Sequence, residues 1–477
     1  MQMTNGHDLQ SIRDAVEKTK PAIERICAEV WQEAELSKEE VKSAQIHIRE
    51  LEAAGFKITS RGTSGYPTAF IAEWSQGEGG GKIGFLPEYD ALPGLGNAPV
   101  SEQAPRSDQK TTGHGCGHNL LGAGCTGAAI ALKGLMETES VPGTLRVYGC
   151  AAEESAGVKV FMARDGLFND MDACLAWHSA PMAMVGPVRS AAVNQIQVEF
   201  FGKTAHAGFA PWEGRSALHA LELFAHGVNL MREHVEPTTR IQYIVEAGGT
   251  ATNVVCDYTR LQLAIRDKDR GRVEAITAWA KQLAEGAAMG TQTRARFDVQ
   301  FGLWDLLPNG PIIERTYANM EKIGMPKWTE EEQSFARACQ TNMNVPELGM
   351  ATKLSPLSPN EITVGGATDV ADVSWNTPTG VFVMPTLPLG VGLHTWPVTA
   401  CGGMSIGLKG TLVAAAVMTA TGYDLLTDPT LRESARADFE KRRGDIKYVS
   451  AVSNEQNGAA GLGSMLKDGS DEMVVGS

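Results

Sequence analysis

Apolar positions recur at helical spacing near the start of the chain, where Ile12, Val16 and Ile23 share one face of a predicted helix. A second helical pattern follows and stops at Gly55, a residue type that commonly ends helices. Residues 8–55 are therefore predicted to form two consecutive helices.

Short apolar runs then alternate with helical patterns. The segments "FKITS", "TAFIAEWS", "KIGFLPEYD", "GTLRVYGCAA" and "MDACLAWH" predict strands, and "TGAAIALKGLMETE" and "VKVFMARDGLF" predict helices. The glycine-rich "QGEGGGK" is predicted to be a hairpin turn, because it lacks the spacing of a phosphate-binding loop. Strands that alternate with helices predict an α/β domain whose mainly parallel or mixed sheet is flanked by helices.

The pattern changes near Ala191. Residues 191–303 follow the order β-α-β-β-α-β, which predicts an inserted ferredoxin-like α+β lid. The α/β pattern resumes after Trp304 and ends in an alanine-rich helix. The catalytic domain is therefore predicted to comprise residues 1–190 and 304–447. Residues 448–477 are rich in glycine and serine and predict a disordered tail.

Composition narrows the class of protein. The 477 residues include 42 Lys+Arg and 56 Asp+Glu, a net charge of −14, which predicts no nucleic-acid or membrane partner. The charged N-terminus has no apolar signal-peptide core. The apolar segment Met404–Leu426 is interrupted by Lys409, which favours a buried helix over a membrane span. Eight cysteines without paired spacing predict reduced thiols in the cytoplasm.

Two histidines and a cysteine occur within five residues of the glycine-rich segment "TTGHGCGHNLLGAG". Alone, this segment is also compatible with a plain strand-to-helix turn in which Cys116 is a small buried side chain. Other polar residues follow predicted strands, and one histidine lies in a glycine-rich loop far downstream; these are Asp90, Glu153, Glu154, His178 and His394. Because the carboxyl ends of parallel strands share one sheet edge, we expect these residues to meet there.

This set of side chains fits a centre of two divalent metal ions. Such a centre needs several N, O and S ligands and a separate base that deprotonates a water molecule. Glu153 is left as the base, and Asp90 is expected to orient a ligand imidazole through its other ring nitrogen. The predicted ligands are Cys116, His118, Glu154, His178 and His394.

A series of motifs in this order resembles the aminoacylase/carboxypeptidase family of co-catalytic metallohydrolases. They are "EYDAL", "GHGCGHNLLG", "EESAG", "AWH", "GKTAHAG", "TNVV", "IRD", "ATDVADVSW" and "LHTW", across roughly residues 10–425. The branch resembles amidohydrolases such as bacterial p-aminobenzoyl-glutamate hydrolases. The resemblance implies two zinc or manganese ions, with Cys116 as the bridging ligand, and a homodimer formed through the lid.

The resemblance also assigns residues of the lid to the substrate. His206, Asn253 and Arg266 are implied to contact it, and His206 to reach the partner's site and stabilise an oxyanion there. Without the resemblance, the favoured interpretation of His206 is a solvent-exposed turn histidine. Arg266 is equally compatible with an inter-strand salt bridge to Asp257 or Asp267.

The chain differs from the peptidase branch of this family at the position of the first metal ligand. That branch has His-x-Asp where this chain has Glu88-Tyr89-Asp90, so the sequence leaves open whether Glu88 contacts metal. The function implied is hydrolysis of the amide bond of an N-acyl amino acid, with an aromatic acyl group and a free carboxylate. Two alternatives are a deaminase that releases ammonia from an aromatic amine and a non-catalytic partner subunit. The intact base Glu153 and the full ligand set argue against the latter.

Overall fold

The computed structural model describes residues 8–155 and 157–453. The helices are α1 (Leu9–Glu33), α2 (Val41–Ala53), α3 (His118–Glu139), α4 (Val158–Arg164), α5 (Ala217–Met231), α6 (Arg270–Thr291), α7 (Gly310–Ile323), α8 (Glu330–Asn342), α9 (Val370–Ser374), α10 (Trp396–Gly402), α11 (Ser405–Thr427) and α12 (Pro429–Arg443). The strands are β1 (Lys57–Arg61), β2 (Phe70–Gln76), β3 (Gly81–Phe85), β4 (Gly143–Gly149), β5 (Ala173–Ala180), β6 (Met184–Val185), β7 (Val188–Arg189), β8 (Ala192–Phe201), β9 (Arg240–Ala247), β10 (Tyr258–Asp267), β11 (Arg294–Leu303), β12 (Ile362–Thr363) and β13 (Thr379–Pro385).

The catalytic domain is built on a seven-stranded mixed sheet in the order β1-β2-β4-β3-β5-β13-β6. The four central strands β4, β3, β5 and β13 run parallel, and the outer pairs are antiparallel. Helix α3 packs against α1 and α11. It begins at His118, eight residues before the predicted helix. This architecture confirms the predicted α/β class with a mixed sheet.

The predicted hairpin between β2 and β3 is wrong. Strand β4 lies between them, antiparallel to β2 and parallel to β3. The glycines of "QGEGGGK" instead let the chain pass close to the start of β4, where a Cβ on Gly80 would lie 2.2 Å from the carbonyl oxygen of Pro142. The glycines of the segment favour a turn, but β4, about sixty residues downstream, pairs with both β2 and β3 and so keeps those two strands apart.

The lid is the predicted ferredoxin-like layer. Its antiparallel sheet has the order β11-β8-β10-β9, and α5 and α6 pack against it around a separate apolar core. Strand β8 pairs on both sides, so the exposed sheet edges belong to β9 and β11. Part of β9 is exposed and apolar, with Ile244 60% and Val245 50% accessible.

The two domains meet around Arg270, which is buried at the start of α6. Its guanidinium donates to the carbonyl oxygens of Val193 and Leu303, each at 3.2 Å, on the two chain segments that join the domains. Its backbone N–H donates to Asp305 Oδ1 at 3.0 Å. The lid is therefore tied to the catalytic domain through hydrogen bonds to both crossings.

The start of the predicted tail packs against the catalytic domain. The Tyr448 hydroxyl donates to Asp372 Oδ1 at 2.8 Å, and the indole of Trp304 donates to the carbonyl oxygen of Val449 at 2.9 Å. Val452 is 2% exposed. Residues 448–453 thus belong to the packed structure, and the predicted disorder of residues 454–477 lies outside the described residues.

Two helices have the length and apolar composition of a membrane span, namely α3 and α11. In the most apolar 18-residue stretch of each helix, 83% of the residues of α3 and 72% of those of α11 are buried inside the described structure, as expected of core helices.

Candidate metal centre

A tight turn places Cys116 and His118 at the carboxyl edge of the sheet. Gly117 has φ +81°, and a Cβ there would lie 2.3 Å from Ser179 Oγ on β5. Glycine is the residue type that tolerates both this backbone region and this approach. The glycines around Cys116 therefore bring the start of α3 against β5.

Three ligand atoms converge on the buried side of this turn. Cys116 Sγ lies 3.4 Å from His178 Nε2, and the ligand atoms of Cys116, His118 and His178 all lie within 4.8 Å of one another. His118 Nδ1 lies 2.9 Å from Asp90 Oδ1. Because a carboxylate only accepts, Nδ1 carries the proton, and Nε2 faces the cluster with its lone pair. This is the orienting contact predicted for Asp90.

A second set of ligand atoms lies on the exposed side of Cys116. Cys116, Glu154 and His394 also fall within 4.8 Å of one another, and His394 Nε2 lies 3.2 Å from Glu154 Oε1. His394 has φ +60°, held by a 2.7 Å hydrogen bond from its backbone N–H to the carbonyl oxygen of Gly115. The two sets share Cys116, and together they contain all five predicted ligands.

The two neighbouring glutamates have opposite electrostatic environments. Burial raises the pKa of Glu153, and the nearby carboxylates of Glu88 and Asp369 raise it further. Burial also acts to raise the pKa of Glu154, but a hydrogen bond from His394 and the charge of His118 outweigh it and lower that pKa. The environment thus favours proton binding at Glu153 and an ionised, ligand-like carboxylate at Glu154.

The side chains present fit a pair of divalent cations. His118 Nε2 and Glu88 Oε2 are buried and have no hydrogen-bond partner among residues 8–155 and 157–453. Leaving buried polar atoms unpaired is costly, and a cation between them satisfies both. The thiol, imidazole and carboxylate donors suit zinc, and imidazole and carboxylate also suit manganese.

His206 lies on the lid surface after β8. Its Nδ1 accepts hydrogen bonds from the backbone N–H groups of Gly208 at 3.2 Å and Phe209 at 3.1 Å. A neutral imidazole that accepts at Nδ1 carries its proton on Nε2. Nε2–H is therefore available to donate to another molecule, and His206 forms no hydrogen bond or ion pair with the metal cluster within the described part of the chain.

The other two lid residues also lie apart from the cluster. Asn253 is exposed, and its backbone carbonyl oxygen accepts a hydrogen bond from the backbone N–H of Ala207 at 2.9 Å. Arg266 Nε is buried without a hydrogen-bond partner, and Arg266 forms no ion pair within the described ranges. The alternative salt bridge to Asp267 is absent, since that carboxylate accepts from two threonine hydroxyls instead.

Three residues that line or support the cluster were not predicted from the sequence. Lys159 Nζ lies 2.8 Å from Glu88 Oε1 and 2.5 Å from Asp369 Oδ1, and all three side chains are buried. The Ser37 hydroxyl donates to Asp90 at 2.7 Å. A signal existed for Lys159, which interrupts the apolar helix "VKVFMAR", and for Asp369, which lies in the quoted motif "ATDVADVSW".

An apolar cavity of about 300 Å³ opens beside the buried side of the cluster. Glu88 and His178 form one wall, and no lysine or arginine lines it. The apolar side chains that line the cavity include Trp177, Met184, Val185, Val188, Leu306, Ile313, Val364, Val370, Val381, Phe382, Val383 and Leu393.

Several known proteins are similar to this chain. The profile of a peptidase dimerisation domain, M20_dimer, matches residues 193–290. One of the subunits of the p-aminobenzoyl-glutamate hydrolase of Escherichia coli is 34% identical over 458 residues, which cover 90% of this chain and 94% of that protein. The chain belongs to the M20 family. The resemblance stated from the motifs is thereby confirmed.

Two further members extend the comparison. A Xaa-Arg dipeptidase of Mus musculus is 26% identical over 90% of this chain and 92% of its own length. A dinuclear metal binding peptidase of the M20 family from Bacillus subtilis, 18% identical, superposes with a TM-score of 0.58 over 86% of this chain and 99% of that one, and supports the fold. As a member of the M20 family, the present protein is a metal-binding hydrolase of amide bonds.

Proposed function

We propose that this protein hydrolyses the amide bond of an N-acyl amino acid whose acyl group is aromatic, such as an aminobenzoyl-glutamate-like conjugate. The observation that carries the proposal is the apolar cavity beside the two ligand sets that share Cys116. The relative from Escherichia coli, named as part of a p-aminobenzoyl-glutamate hydrolase, supports the same substrate class.

The cavity suits the acyl side of the substrate. Its volume of about 300 Å³ falls at the lower end of small-molecule sites, roughly 300–1,000 Å³. Phe382 and Trp177 lie among aliphatic side chains in its walls, which suits a planar apolar ring. No lysine or arginine lines this cavity to pair with a substrate carboxylate, so we place the amino-acid side of the substrate outside it.

The proposed centre holds two divalent ions, zinc or manganese. Cys116, His118 and His178 would hold one ion, and Cys116, Glu154 and His394 the other. When bound, the metals would polarise the amide carbonyl and lower the pKa of a water molecule.

The residues of the chain then have separate tasks. Glu153 takes a proton from the attacking water and passes it to the departing amine nitrogen. Asp90 fixes the tautomer and orientation of His118 through the 2.9 Å contact with Nδ1.

The lid residues are proposed to act in a homodimer. His206 Nε2–H would donate to the oxyanion in the partner's site, Asn253 would contact the substrate there, and Arg266 would bind its carboxylate. The exposed edge of β9 and the exposed Leu230 of α5 provide apolar surface that a second copy would cover.

We also propose that the protein works in the cytoplasm. All eight cysteines are free, and seven of them are buried. Free thiols are typical of a reducing compartment.

The test is a substrate panel with purified protein reconstituted with Zn²⁺ or Mn²⁺. We expect aminobenzoyl-glutamate to be cleaved faster than acetyl-glutamate, with release of free glutamate and no ammonia. Ammonia release from the aromatic amine would favour the deaminase alternative. A chain that binds two metals but cleaves no member of the panel would point to a missing second type of subunit, as the name of the Escherichia coli relative indicates for that protein.

A further inference from the structure

Glu88 divides its two carboxylate oxygens between two tasks. Oε1 is bound by Lys159 Nζ at 2.8 Å. Oε2 is buried without a hydrogen-bond partner in the described ranges and lies 3.4 Å from His118 Nε2. Glu88, His118 and Glu153 form a third group whose ligand atoms lie within 4.8 Å of one another. The free oxygen of Glu88 therefore faces His118, the residue that this group shares with the buried ligand set.

When His118 is neutral, as a metal ligand must be, the two facing atoms, Glu88 Oε2 and His118 Nε2, are both acceptors. The proton of the neutral imidazole is on Nδ1, where Asp90 accepts it, which leaves a lone pair on Nε2. Two buried acceptors 3.4 Å apart repel unless a proton or a cation lies between them. His118 Nε2 is also the atom that completes the set with Cys116 and His178.

Charge adds an independent argument. Lys159 carries one positive charge and contacts two carboxylates, Glu88 and Asp369, and the side chains of the three residues are at most 4% exposed. With both carboxylates ionised, the group has a net negative charge inside the protein, which is costly without a compensating cation. A divalent ion at Glu88 Oε2 supplies that compensation.

We propose that Glu88 is a fourth ligand of the buried metal position, together with Cys116, His118 and His178. Lys159 and Asp369 act as positioning residues: Lys159 holds Oε1 of Glu88, Asp369 holds Lys159, and Oε2 is left to the metal. The inference rests on the proposed metal centre and goes beyond it, because the two metal positions then differ in their number of protein ligands.

The inequality predicts an order of metal binding. The buried position has four protein ligands, whereas the position at Glu154 and His394 has three, and the His394 side chain is 53% exposed. More ligands on rigid, buried elements bind a metal more tightly and exchange it more slowly. The buried position fills first and releases its ion last.

The experiment measures metal binding directly, without substrate. Protein stripped of metal is titrated with Zn²⁺ against a chromophoric chelator, and bound zinc is counted after dialysis against graded EDTA. We expect two affinities in the wild type, with one ion retained under mild chelation. In Glu88→Gln, whose amide oxygen still accepts from Lys159, we expect the tight affinity to fall at least ~10-fold, because loss of even an outer partner costs about 10–100-fold.

A matched control separates this role from general disturbance of buried acids. Asp372 is a fully buried carboxylate on α9 that accepts from Tyr448 and from the backbone of Trp304. Asp372→Asn should leave both zinc affinities unchanged. The Co²⁺ absorption spectrum provides a second measurement, because losing a ligand changes the intensity of its visible bands.

The measurements test the ligand role of Glu88 and the existence of the metal centre separately. Two unchanged zinc affinities and an unchanged Co²⁺ spectrum in Glu88→Gln would overturn the inference and leave Glu88 as the ion-pair partner of Lys159. Wild-type protein that binds less than one zinc would overturn the proposed metal centre itself. If Glu88→Gln does not fold, Glu88→Asp, whose shorter side chain keeps the charge, must show the same selective loss.

Discussion

The metal cluster of the catalytic domain and the substrate residues of the lid differ in how completely one chain surrounds them. Asp90 is held by His118, by the Ser37 hydroxyl and by the backbone of Glu154, all within the same chain. His206 and Asn253 are exposed. The cluster residues are thus positioned by contacts within one chain, whereas the exposed polar side chains of the lid are accessible to another molecule.

The contrast extends to the apolar surface. The buried apolar residues around the cluster belong to a continuous core or to the cavity wall. In the loop of His206, by contrast, Phe209 is 79% and Trp212 is 73% exposed. Large exposed aromatic side chains mark interaction surfaces. The comparison therefore predicts that substitutions in the cluster act within one subunit, and that those in the lid act across the dimer.

Removal of the base should have the largest effect. Glu153→Gln should lower kcat by roughly 10²–10⁴-fold, because the amide can no longer accept the proton of the water. Metal content, counted by elemental analysis, should stay at the wild-type value. Glu154→Gln is the matched variant and should instead lower metal content, since its carboxylate lies among ligand atoms. Exchanged phenotypes would show that the two roles are reversed.

The next largest effect is expected at His206. His206→Ala should lower kcat by roughly 10²–10³-fold through loss of an oxyanion donor, with metal content and melting temperature unchanged because the residue is exposed. The control is His234→Ala, which removes another exposed lid histidine and should leave kcat at the wild-type value.

Mixing variants tests whether His206 acts across the dimer. After subunit exchange, equal amounts of His206→Ala and Glu153→Gln should recover about a quarter of wild-type activity, because half of the two-fold dimers contain one intact site. Exchange proven by mass spectrometry without recovery would place His206 and Glu153 of one chain in the same site.

A smaller effect is expected at Arg266. Arg266→Met should lower kcat/KM about 10–100-fold for substrates with a free carboxylate, since a hydrogen bond to a charged group is worth about 1.5–3 kcal/mol. The loss should vanish for the matching carboxamide. Arg296→Met is the control, because Arg296 on the same sheet is already paired with Glu199 at 3.0 Å. Equal losses on both substrates would mean that Arg266 supports the lid sheet instead.

Local patterns in the sequence predicted the elements but not all of their partners. The strands around the cluster were predicted because apolar runs end at polar residues such as Asp90 and His178. The hairpin was wrong because β4 enters between β2 and β3 from far along the chain. Helix α3 starts earlier than predicted because close packing of Gly122 against Glu88 and of Gly124 against Trp177 outweighs the low helical propensity of glycine.

In the candidate site too, the sequence predicted residue types but not all of the contacts between them. Residue types and strand ends are visible in the sequence, so the five side chains that the structure brings together could be predicted from it. Lys159 and Asp369 could not be paired in advance, since 210 positions separate them and no periodic pattern links them. Their roles depend on a three-dimensional charge balance with Glu88.

The smallest effect is expected at Asn253, where backbone and side chain have separable roles. The carbonyl oxygen of Asn253 accepts from Ala207, next to His206, and this contact survives any substitution that keeps the backbone. Asn253→Ala therefore removes only the exposed amide. Losing one neutral hydrogen bond to substrate costs about 0.5–1.5 kcal/mol, so kcat/KM should fall about 2–10-fold with an unchanged melting temperature. Thr252→Ala, in the same exposed loop, should have no effect on kcat/KM. A drop as large as that of His206→Ala would mean that the amide also positions the imidazole, and an unchanged kcat/KM would remove Asn253 from the site.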